Sequence, residues 1–515
     1  MLWACLLLPS LPLDVFARAL SPADAAQPFA VTTGGHYPRI VAANAAARDA
    51  TIAPDQLVSA ALARAPGIVL RDRDPQQEAA ALAGVAAWAT QFTPTVSLAP
   101  PDAVRAEIGG SLRLFGGLRQ LATQLVRGAQ DLGYSARLAL APTPLAALLF
   151  AREKEARPDF SLPSRNSRRG SGRSELGSFF EALAPLPLGH LGVAPEIVAT
   201  LAAAGVTTFG QACALPRAGL ARRVGTGFVA TLDRARGLVP DPQPPFVPPP
   251  RYEGRLDLPA PVANVEALAF ATNRLVHELA GWLAGRGLGI QEMSLALAHE
   301  RYVGARTGVP ATTIRFALAA PAREPSHLFA VLRERLARVT LPASVEGLAL
   351  ASEITAPLVG RNLGLLPGDE ADASVPLIDR LRARLGDEAV TLVAPRAEHR
   401  PERASGDRKS GVGPGVPAGA ARNKPKARED GTDPVFPPRP VWLLSEPAPL
   451  GQLIEARPWV LRDGPERIES GWWDGADVRR DYFVAENPRG ERVWIYRDHR
   501  YGIGDGEWFL HGVFA

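Results

Sequence analysis

Cysteine is scarce in this 515-residue chain, which contains only Cys5 and Cys213. Two cysteines exclude a disulfide-rich fold and a zinc site built from cysteine. The eight histidines show no His-x-x-x-His or His-Glu-x-x-His spacing, and there is no Gly-x-x-x-x-Gly-Lys phosphate loop. Because such spacings mark zinc sites and phosphate loops, we expect no metal ion and no cofactor.

Lysine and long apolar runs are also rare. Only four of the 57 basic residues are lysines, and the formal net charge of +4 allows a polyanionic partner without requiring one. No 18-residue apolar stretch without charge occurs, so we expect no membrane span and a cytoplasmic protein. Residues 2–8 are apolar but follow no positive charge, which is typical of a buried strand rather than a secretion signal.

Hydrophobic residues, in contrast, make up 46% of the chain, enough for several packed cores. Short β-rich runs alternate with Ala- and Leu-rich runs over residues 1–183, which indicates a unit of mixed helices and strands. Within it, residues 39–48 and 75–92 are predicted helices. A Ser-, Arg- and Gly-rich stretch at 154–177 is predicted to be a flexible insertion.

The middle of the chain predicts two further units. Residues 184–240 have the pattern of short helices with glycine corners, and a proline-rich, stiff tether follows at 241–251. Residues 252–352 then give the order strand, helix, strand, strand, helix, strand. This order predicts two helices on one face of a four-stranded sheet, so the fold class is α+β with several domains.

The last third is predicted to be less regular. Residues 353–399 form a tail with a short helix near 376–386, and residues 400–438 are a Pro-, Gly- and Arg-rich linker predicted to be disordered. Six of the nine tryptophans lie in residues 439–515. That density predicts a compact, tryptophan-rich β module at the C-terminus.

Glycine corners in residues 184–240 are candidate phosphate contacts. Gly205 follows one helical run, while Gly225 and Gly227 separate two others, next to Arg222 and Arg223. Backbone N–H groups at such corners can bind phosphate, so these five residues are predicted contacts for a phosphate backbone. An ordinary pair of packed helices without a ligand is the alternative.

The order of these units resembles that of the Y-family translesion DNA polymerases. The segment from Glu107 to Gly117 (EIGGSLRLFGG) is similar to the family's palm turn. The resemblance implies a palm at 1–183 with fingers at about 28–85, a helix-hairpin-helix thumb at 184–240 and a little finger at 252–352.

The chain departs from that family where magnesium is bound. The first strand has Leu6 and Leu8 where carboxylates are expected, and Asp102 is followed by Ala103 in place of glutamate. Leucine cannot bind Mg²⁺, which takes oxygen ligands. We therefore expect no catalytic residues, and the alternative is an active Y-family polymerase with an atypical metal site.

Loss of the carboxylates together with a C-terminal extension is similar to the ImuB-type subgroup of the family. The run RIESGWWDG, from Arg467 to Gly475, carries this resemblance. It implies a noncatalytic scaffold of the bacterial SOS mutasome, associated with the nucleoid and acting in damage-induced mutagenesis. The implied partners are DNA, the sliding clamp, an error-prone C-family polymerase and a small RecA-like protein.

Two segments are candidates for these protein contacts. The resemblance implies that Asn362, Leu363, Leu365 and Leu366 form a clamp-binding peptide, and the alternative is a tail that packs on its own domain. Trp472, Trp473 and Asp474 form either a partner-binding face or the core of the terminal module. A plain architectural DNA-binding protein is a third functional possibility.

Overall fold

The structure is a computed structural model that describes residues 1–21, 24–153, 179–300, 308–358, 374–390, 392–396, 398–408, 439–451, 459–499 and 506–514. The chain divides into two compact units, Met1–Arg384 and Leu385–Ala515. No helix in the described parts of the chain is long and apolar enough to cross a membrane.

The first unit contains eleven described strands in three sheets. They are β1 (Trp3–Leu7), β2 (Phe29–Thr32), β3 (Ile40–Ala43), β4 (Val69–Asp72), β5 (Val96–Ala99), β6 (Ala103–Glu107), β7 (Arg137–Ala141), β8 (Glu253–Val262), β9 (Leu288–His299), β10 (Ala311–Ala322) and β11 (Val345–Pro357). Sheet A has the order β5-β6-β1-β7, sheet B the order β3-β2-β4, and sheet C the order β10-β9-β11-β8.

The described helices labelled in this part of the chain are α1 (Leu11–Ala17), α2 (Ala45–Asp49), α3 (Val58–Arg64), α4 (Pro75–Ala89), α5 (Leu118–Asp131), α6 (Pro144–Arg152), α7 (Pro195–Ala203), α8 (Phe209–Ala214), α9 (Arg217–Val224), α10 (Thr226–Arg236), α11 (Val265–Arg286), α12 (Pro325–Leu336) and α13 (Ser374–Leu385).

Strand β1 lies in the middle of sheet A and is buried along its whole length. Because side chains alternate along a strand, Leu6 packs with α4 and α5 on one face, whereas Cys5 and Leu7 pack with α6 and the helices that follow it on the other. Sheet A therefore separates two hydrophobic cores. The apolar run at the start of the chain is a buried strand, as the sequence predicts.

The helix predicted at residues 39–48 is wrong in its first half. Ile40–Ala43 form β3, which pairs antiparallel with β2 in sheet B, and only Ala45–Asp49 are helical. Asn44 separates the two because its side-chain oxygen accepts the N–H of Ala47 and so begins the helix at the next residue. An Ile-Val pair just before such a cap favours strand over helix.

Sheet C carries α11 and α12 on one face, and this core continues into the first part of the chain. Ala19 and Ala87 belong to the same hydrophobic cluster as Leu275 and Leu279 of α11. Trp88 of α4 is wedged between Gly128 of α5 and Gly281 of α11, where a Cβ on either glycine would overlap the indole ring. Helices α4, α5 and α11 can approach this closely because two of them present glycine at the contact.

A buried ion pair ties α1 to α11. Both terminal nitrogens of Arg18 lie 3.3 Å from a carboxylate oxygen of Glu278, and the side chains are 4% and 9% exposed. Arg18 also donates to the hydroxyl of Tyr134, and its guanidinium lies over that ring. Burial raises the pKa of the Glu278 carboxyl even beside this cation.

Helix α13 packs against sheet C by its polar side as well as its apolar side. Asp379 is 2% exposed and accepts the N–H of Ala319 at 2.7 Å, and it contacts Nε2 of His327 at 3.0 Å. Ala383 lies in the same core as the sheet. The predicted helix near 376–386 is thus seen at Ser374–Leu385, held by a buried carboxylate.

The second unit contains a five-stranded antiparallel sheet D of order β14-β18-β17-β16-β15. Its strands are β14 (Trp442–Pro449), β15 (Val460–Ser470), β16 (Val478–Glu486), β17 (Arg492–Asp498) and β18 (Trp508–Val513), preceded by the pair β12 (Leu392–Pro395) and β13 (Ser405–Arg408). Tyr482 stacks on Trp494 at 4.0 Å between ring centres, and its hydroxyl lies 2.8 Å from Nδ1 of His511. This aromatic stack forms the core of the sheet.

The linker predicted from residue 400 begins too early. Arg400 is 2% exposed, and its guanidinium contacts Glu398 and Asp474, each at 2.7 Å. The next residues form β13, which pairs with β12. The hydrophilic composition of this segment did not predict its ordered structure, because its charged side chains form ion pairs with one another instead of contacting water. Residues 409–438 lie outside the described residues.

Asp14 gives the first unit a pH-dependent stability. It is 6% exposed and accepts the N–H of Ser135 at 2.8 Å, and burial raises the pKa of its carboxyl to about 6. A carboxyl whose pKa is higher in the folded state than in the unfolded state destabilises the fold as pH rises through that interval. Relative to the wild type, we expect Asp14→Asn to gain about 2–3 kcal/mol between pH 4 and pH 7.5.

Urea denaturation of both proteins at the two pH values measures this gain. An equal difference between variant and wild type at both pH values would show that Asp14 titrates normally. Asp24→Asn, at an exposed aspartate before sheet B, is the matched control and should show no such change.

Candidate nucleic-acid interface

Apolar side chains lie at the end of β1, where a Y-family polymerase would be expected to have metal ligands. Leu7 pairs with Ala103 of β6, and both are buried on the face of sheet A that α6 covers. Leu6 and Leu8, where the sequence analysis expected carboxylates, face the opposite core, because side chains alternate along a strand.

Cys5 shares this face with Leu7 and is fully buried. Burial raises the pKa of its thiol to about 12, with Arg105 and Arg152 opposing the rise. A thiol that stays protonated neither ligates a metal ion nor reacts as a nucleophile. Cys5 is therefore a small core residue.

Asp102, directly before β6, is a carboxylate close to Cys5 on this face. Its backbone carbonyl accepts the N–H of Leu8 at 2.7 Å, and one carboxylate oxygen is buried without a hydrogen-bond partner. Burial raises the pKa of this carboxyl, and the positive charge of Arg152 opposes the rise. One half-buried carboxylate does not make a divalent-cation site.

Glu107 does not complete a pair with Asp102. It ends β6, whereas Asp102 precedes the strand, so the two residues lie roughly 16 Å apart along it. The Glu107 carboxylate accepts the N–H of Leu2 at 2.9 Å and of Gly109 at 3.1 Å. Throughout the described residues, no group of three His, Cys, Asp or Glu side chains could hold a metal ion.

The corner between α9 and α10 is open to solvent. Gly225 has φ +94°, a conformation that favours glycine, and a Cβ at Gly225 or Gly227 would meet nothing within 4 Å. Arg222 and Arg223 end α9 beside the corner, are exposed, and have no hydrogen-bond or ion-pair partner among the described residues. Free guanidinium groups and the N–H groups that begin α10 thus lie at one surface.

An ion pair fixes the angle of this corner. Arg217 of α9 contacts the carboxylate of Asp233 on α10 at 2.5 and 2.8 Å. The hydrogen bonds from Arg217 lower the pKa of the Asp233 carboxyl. The two helices therefore hold the corner in place without using the arginines at its tip.

Gly205 follows α7 with φ +77° and is also exposed. The sequence analysis did not predict one further glycine corner. Gly192, with φ +66°, links the short 3-10 helix Leu188–Leu191 to α7. In the sequence, the position of Gly192 between two apolar residues, Leu191 and Val193, could have indicated this corner. Arg152 lies beside this corner and donates to the carbonyl of His190 at 2.6 Å.

The two adjacent tryptophans of the second unit are on its surface. Trp472 is 80% exposed and Trp473 is 57% exposed, which excludes the alternative that they form the core of the module. Asp474, next to them, pairs with Arg400 at 2.7 Å and with Arg403 at 2.8 Å. The Asp474 carboxylate therefore stabilises this turn through its two ion pairs. Asn362, Leu363, Leu365 and Leu366 lie outside the described residues.

Known proteins are similar to this chain over most of its length. Residues 15–152 match the model of the impB/mucB/samB family. Protein ImuB of Caulobacter vibrioides, from strains NA1000 and CB 15, is 29% identical over 489 residues, covering 90% of this chain and 99% of the relative. The chain is a homologue of protein ImuB.

Solved polymerase structures also align with part of the chain. DinB from Sulfolobus solfataricus covers 68% of this chain and 98% of its own at 13% identity, with a TM-score of 0.36. A Y-family DNA polymerase chimera built on Dbh covers the same shares at 13% identity, with a TM-score of 0.37. The alignment with protein ImuB extends further, over 90% of the chain.

Proposed function

We propose that this chain is a noncatalytic scaffold that binds DNA and the sliding clamp in error-prone translesion synthesis. The homology to protein ImuB supports a role related to translesion synthesis and mutagenesis. The observation that carries the noncatalytic part is the pairing of buried Leu7 with Ala103, which leaves Asp102 as a single carboxylate. Phosphoryl transfer on two metal ions needs several oxygen ligands at that place.

In this proposal the chain joins DNA to several proteins. The open corner at Gly225 and Gly227, with Arg222 and Arg223, contacts the phosphate backbone. The segment from Asn362 to Leu366 binds the sliding clamp. A surface that includes the exposed Trp472 and Trp473 recruits the C-family polymerase or the small RecA-like partner, because exposed tryptophans commonly anchor protein contacts.

Primer extension tests the noncatalytic part of the proposal. With Mg²⁺ or Mn²⁺, a primer-template and all four nucleotides, we expect the purified full chain to extend nothing, because the site lacks ligands. An active Y-family polymerase assayed under the same conditions is the positive control. Extension that disappears in the Asp102→Ala variant would overturn this part and favour an active polymerase with an atypical metal site.

Clamp binding is tested on the peptide from Asn362 to Leu366. Each leucine can contribute roughly 1.5–3 kcal/mol if its side chain becomes fully buried in a clamp pocket, and ordering the peptide offsets much of this gain. We therefore expect a micromolar contact, which the double variant Leu365→Ala, Leu366→Ala removes without changing DNA binding. Surface plasmon resonance on immobilised clamp measures it.

A matched control for the clamp experiment is Leu377→Ala, Leu381→Ala, at two exposed leucines of α13 a short distance along the chain. This control should bind the clamp as the wild type does. Equal clamp binding by the Leu365, Leu366 variant and the wild type would place the clamp site elsewhere.

A further inference from the structure

A groove of about 850 Å³ lies between α5 and α11, on the helix-covered sides of sheets A and C. One wall is the polar side of α5, with Arg119, Gln124 and Arg127, and the opposite wall is a stripe of small residues on α11 that includes Ala280 and Ala284. Small side chains on one wall leave the volume open. The packing of α5 beside α11 thus forms the groove.

The floor of the groove is aromatic. Phe92 and Phe115 line it with their ring centres 5.2 Å apart, and Trp88 supports Phe92 at 5.1 Å. Phe92 and Trp88 are almost fully buried, whereas Phe115 is half-buried at the edge of the open volume. The floor therefore offers one aromatic surface on which an apolar side chain can pack.

The charge of the groove is incompletely balanced. Arg119, Arg127 and Arg323 line it, and among the described residues none of their guanidinium groups has a hydrogen-bond or ion-pair partner. Two carboxylates, Asp131 and Glu324, also line it. Arg274 lies beside Asp131 and donates to its backbone carbonyl at 2.7 Å, so that end of the groove already has a compensating cation.

We propose that this groove binds a short acidic peptide segment of a protein partner, with an apolar side chain between two carboxylates. Arg119 and Arg127 are eight residues apart on α5, a rise of about 12 Å. An extended peptide covers about the same length in four residues. Carboxylates at positions 1 and 5 of such a peptide meet the two arginines, and an apolar side chain at position 3 faces the aromatic floor.

The location favours a peptide over nucleic acid. Helices α4 and α5 cover one face of sheet A, whereas α6 and the helices that carry the Gly225 corner pack on the other. DNA bound at that corner is therefore on the far side of the sheet from the groove.

A designed peptide probes the groove in the full chain. The probe is fluorescein-labelled Gly-Glu-Ser-Phe-Ser-Glu-Gly, which carries carboxylates four residues apart and phenylalanine midway. We expect saturable binding by fluorescence anisotropy and at least a tenfold weaker affinity for Arg119→Glu, Arg127→Glu. Ala284→Trp, which fills the groove without changing its charge, should weaken binding as much. A probe with serine in place of phenylalanine should bind at least threefold more weakly.

Two controls separate this site from general charge and from nucleic acid. Arg222→Glu, Arg223→Glu carries the same charge change on the other side of sheet A and should bind the probe as the wild type does. Thermal unfolding of every variant verifies folding. The proposal is overturned if the wild type does not bind the probe, if both double variants lose it equally, if filling the groove has no effect, or if a 15-nucleotide oligothymidine displaces it.

Discussion

Replacement of Glu278 by alanine is expected to destabilise the first unit by about 3–5 kcal/mol, because it leaves the Arg18 guanidinium buried without its charge partner. The carboxylate fits between α1 and α11 only because Gly84 of α4 has no side chain there. Urea denaturation of the full chain measures the loss. Hydrogen exchange in peptides that span α4 and α11 should show which interface opens first.

Two variants make this result specific. Glu266→Ala removes an exposed carboxylate from the first turn of the same helix and should change stability by less than about 0.5 kcal/mol. Arg18→Met, Glu278→Leu removes both charges and should recover much of the stability lost in Glu278→Ala. A Glu278→Ala protein as stable as the wild type would mean that the pair is solvated in solution.

Reversal of the two arginines beside Gly225 should have the largest effect on DNA binding. In Arg222→Glu, Arg223→Glu, two cations that have no described protein partner become anions next to the phosphate backbone. We expect a loss in affinity on the order of 100-fold at low salt. The slope of log K against log salt concentration should fall by about 1.8, since each lost phosphate contact removes about 0.9.

Salt titrations of fluorescence anisotropy, with a labelled duplex and a labelled single strand, measure both quantities. The control Arg333→Glu, Arg338→Glu makes the same charge change at exposed arginines at the end of α12. If the control loses as much affinity as the α9 variant, binding depends on overall charge and the corner is not the interface. An unchanged slope for the α9 variant would lead to the same conclusion.

Local sequence patterns were sufficient for several features of this chain. The buried first strand follows from a short apolar run that ends at proline, and the lack of carboxylates at Leu6, Leu8 and Ala103 is read directly from residue identity. Apolar residues cannot bind Mg²⁺ in any fold. The resemblance to ImuB-type proteins was likewise visible in the sequence, in the run from Arg467 to Gly475.

Tertiary packing decided what local patterns left open. The strand at Ile40–Ala43 depends on pairing with β2, and Leu7 rather than Leu6 faces Ala103 because the register of β1 with β6 selects the face. Burial of Arg400 depends on Asp474, far along the chain. A hydrophilic segment is exposed or buried according to whether distant partners satisfy its charges, which no local pattern records.

The two candidate binding surfaces also differ in whether local sequence is enough to predict them. The corner at Gly225 was found from sequence because glycine and arginine act there through local geometry. The groove beside α5 was not, because its floor, its walls and its arginines come from segments nearly 240 residues apart, from Trp88 to Pro325. Composition and motif spacing thus determined which side chains are present for contacts with phosphate or metal ions, and only the packing of α4, α5 and α11 decided where the groove lies.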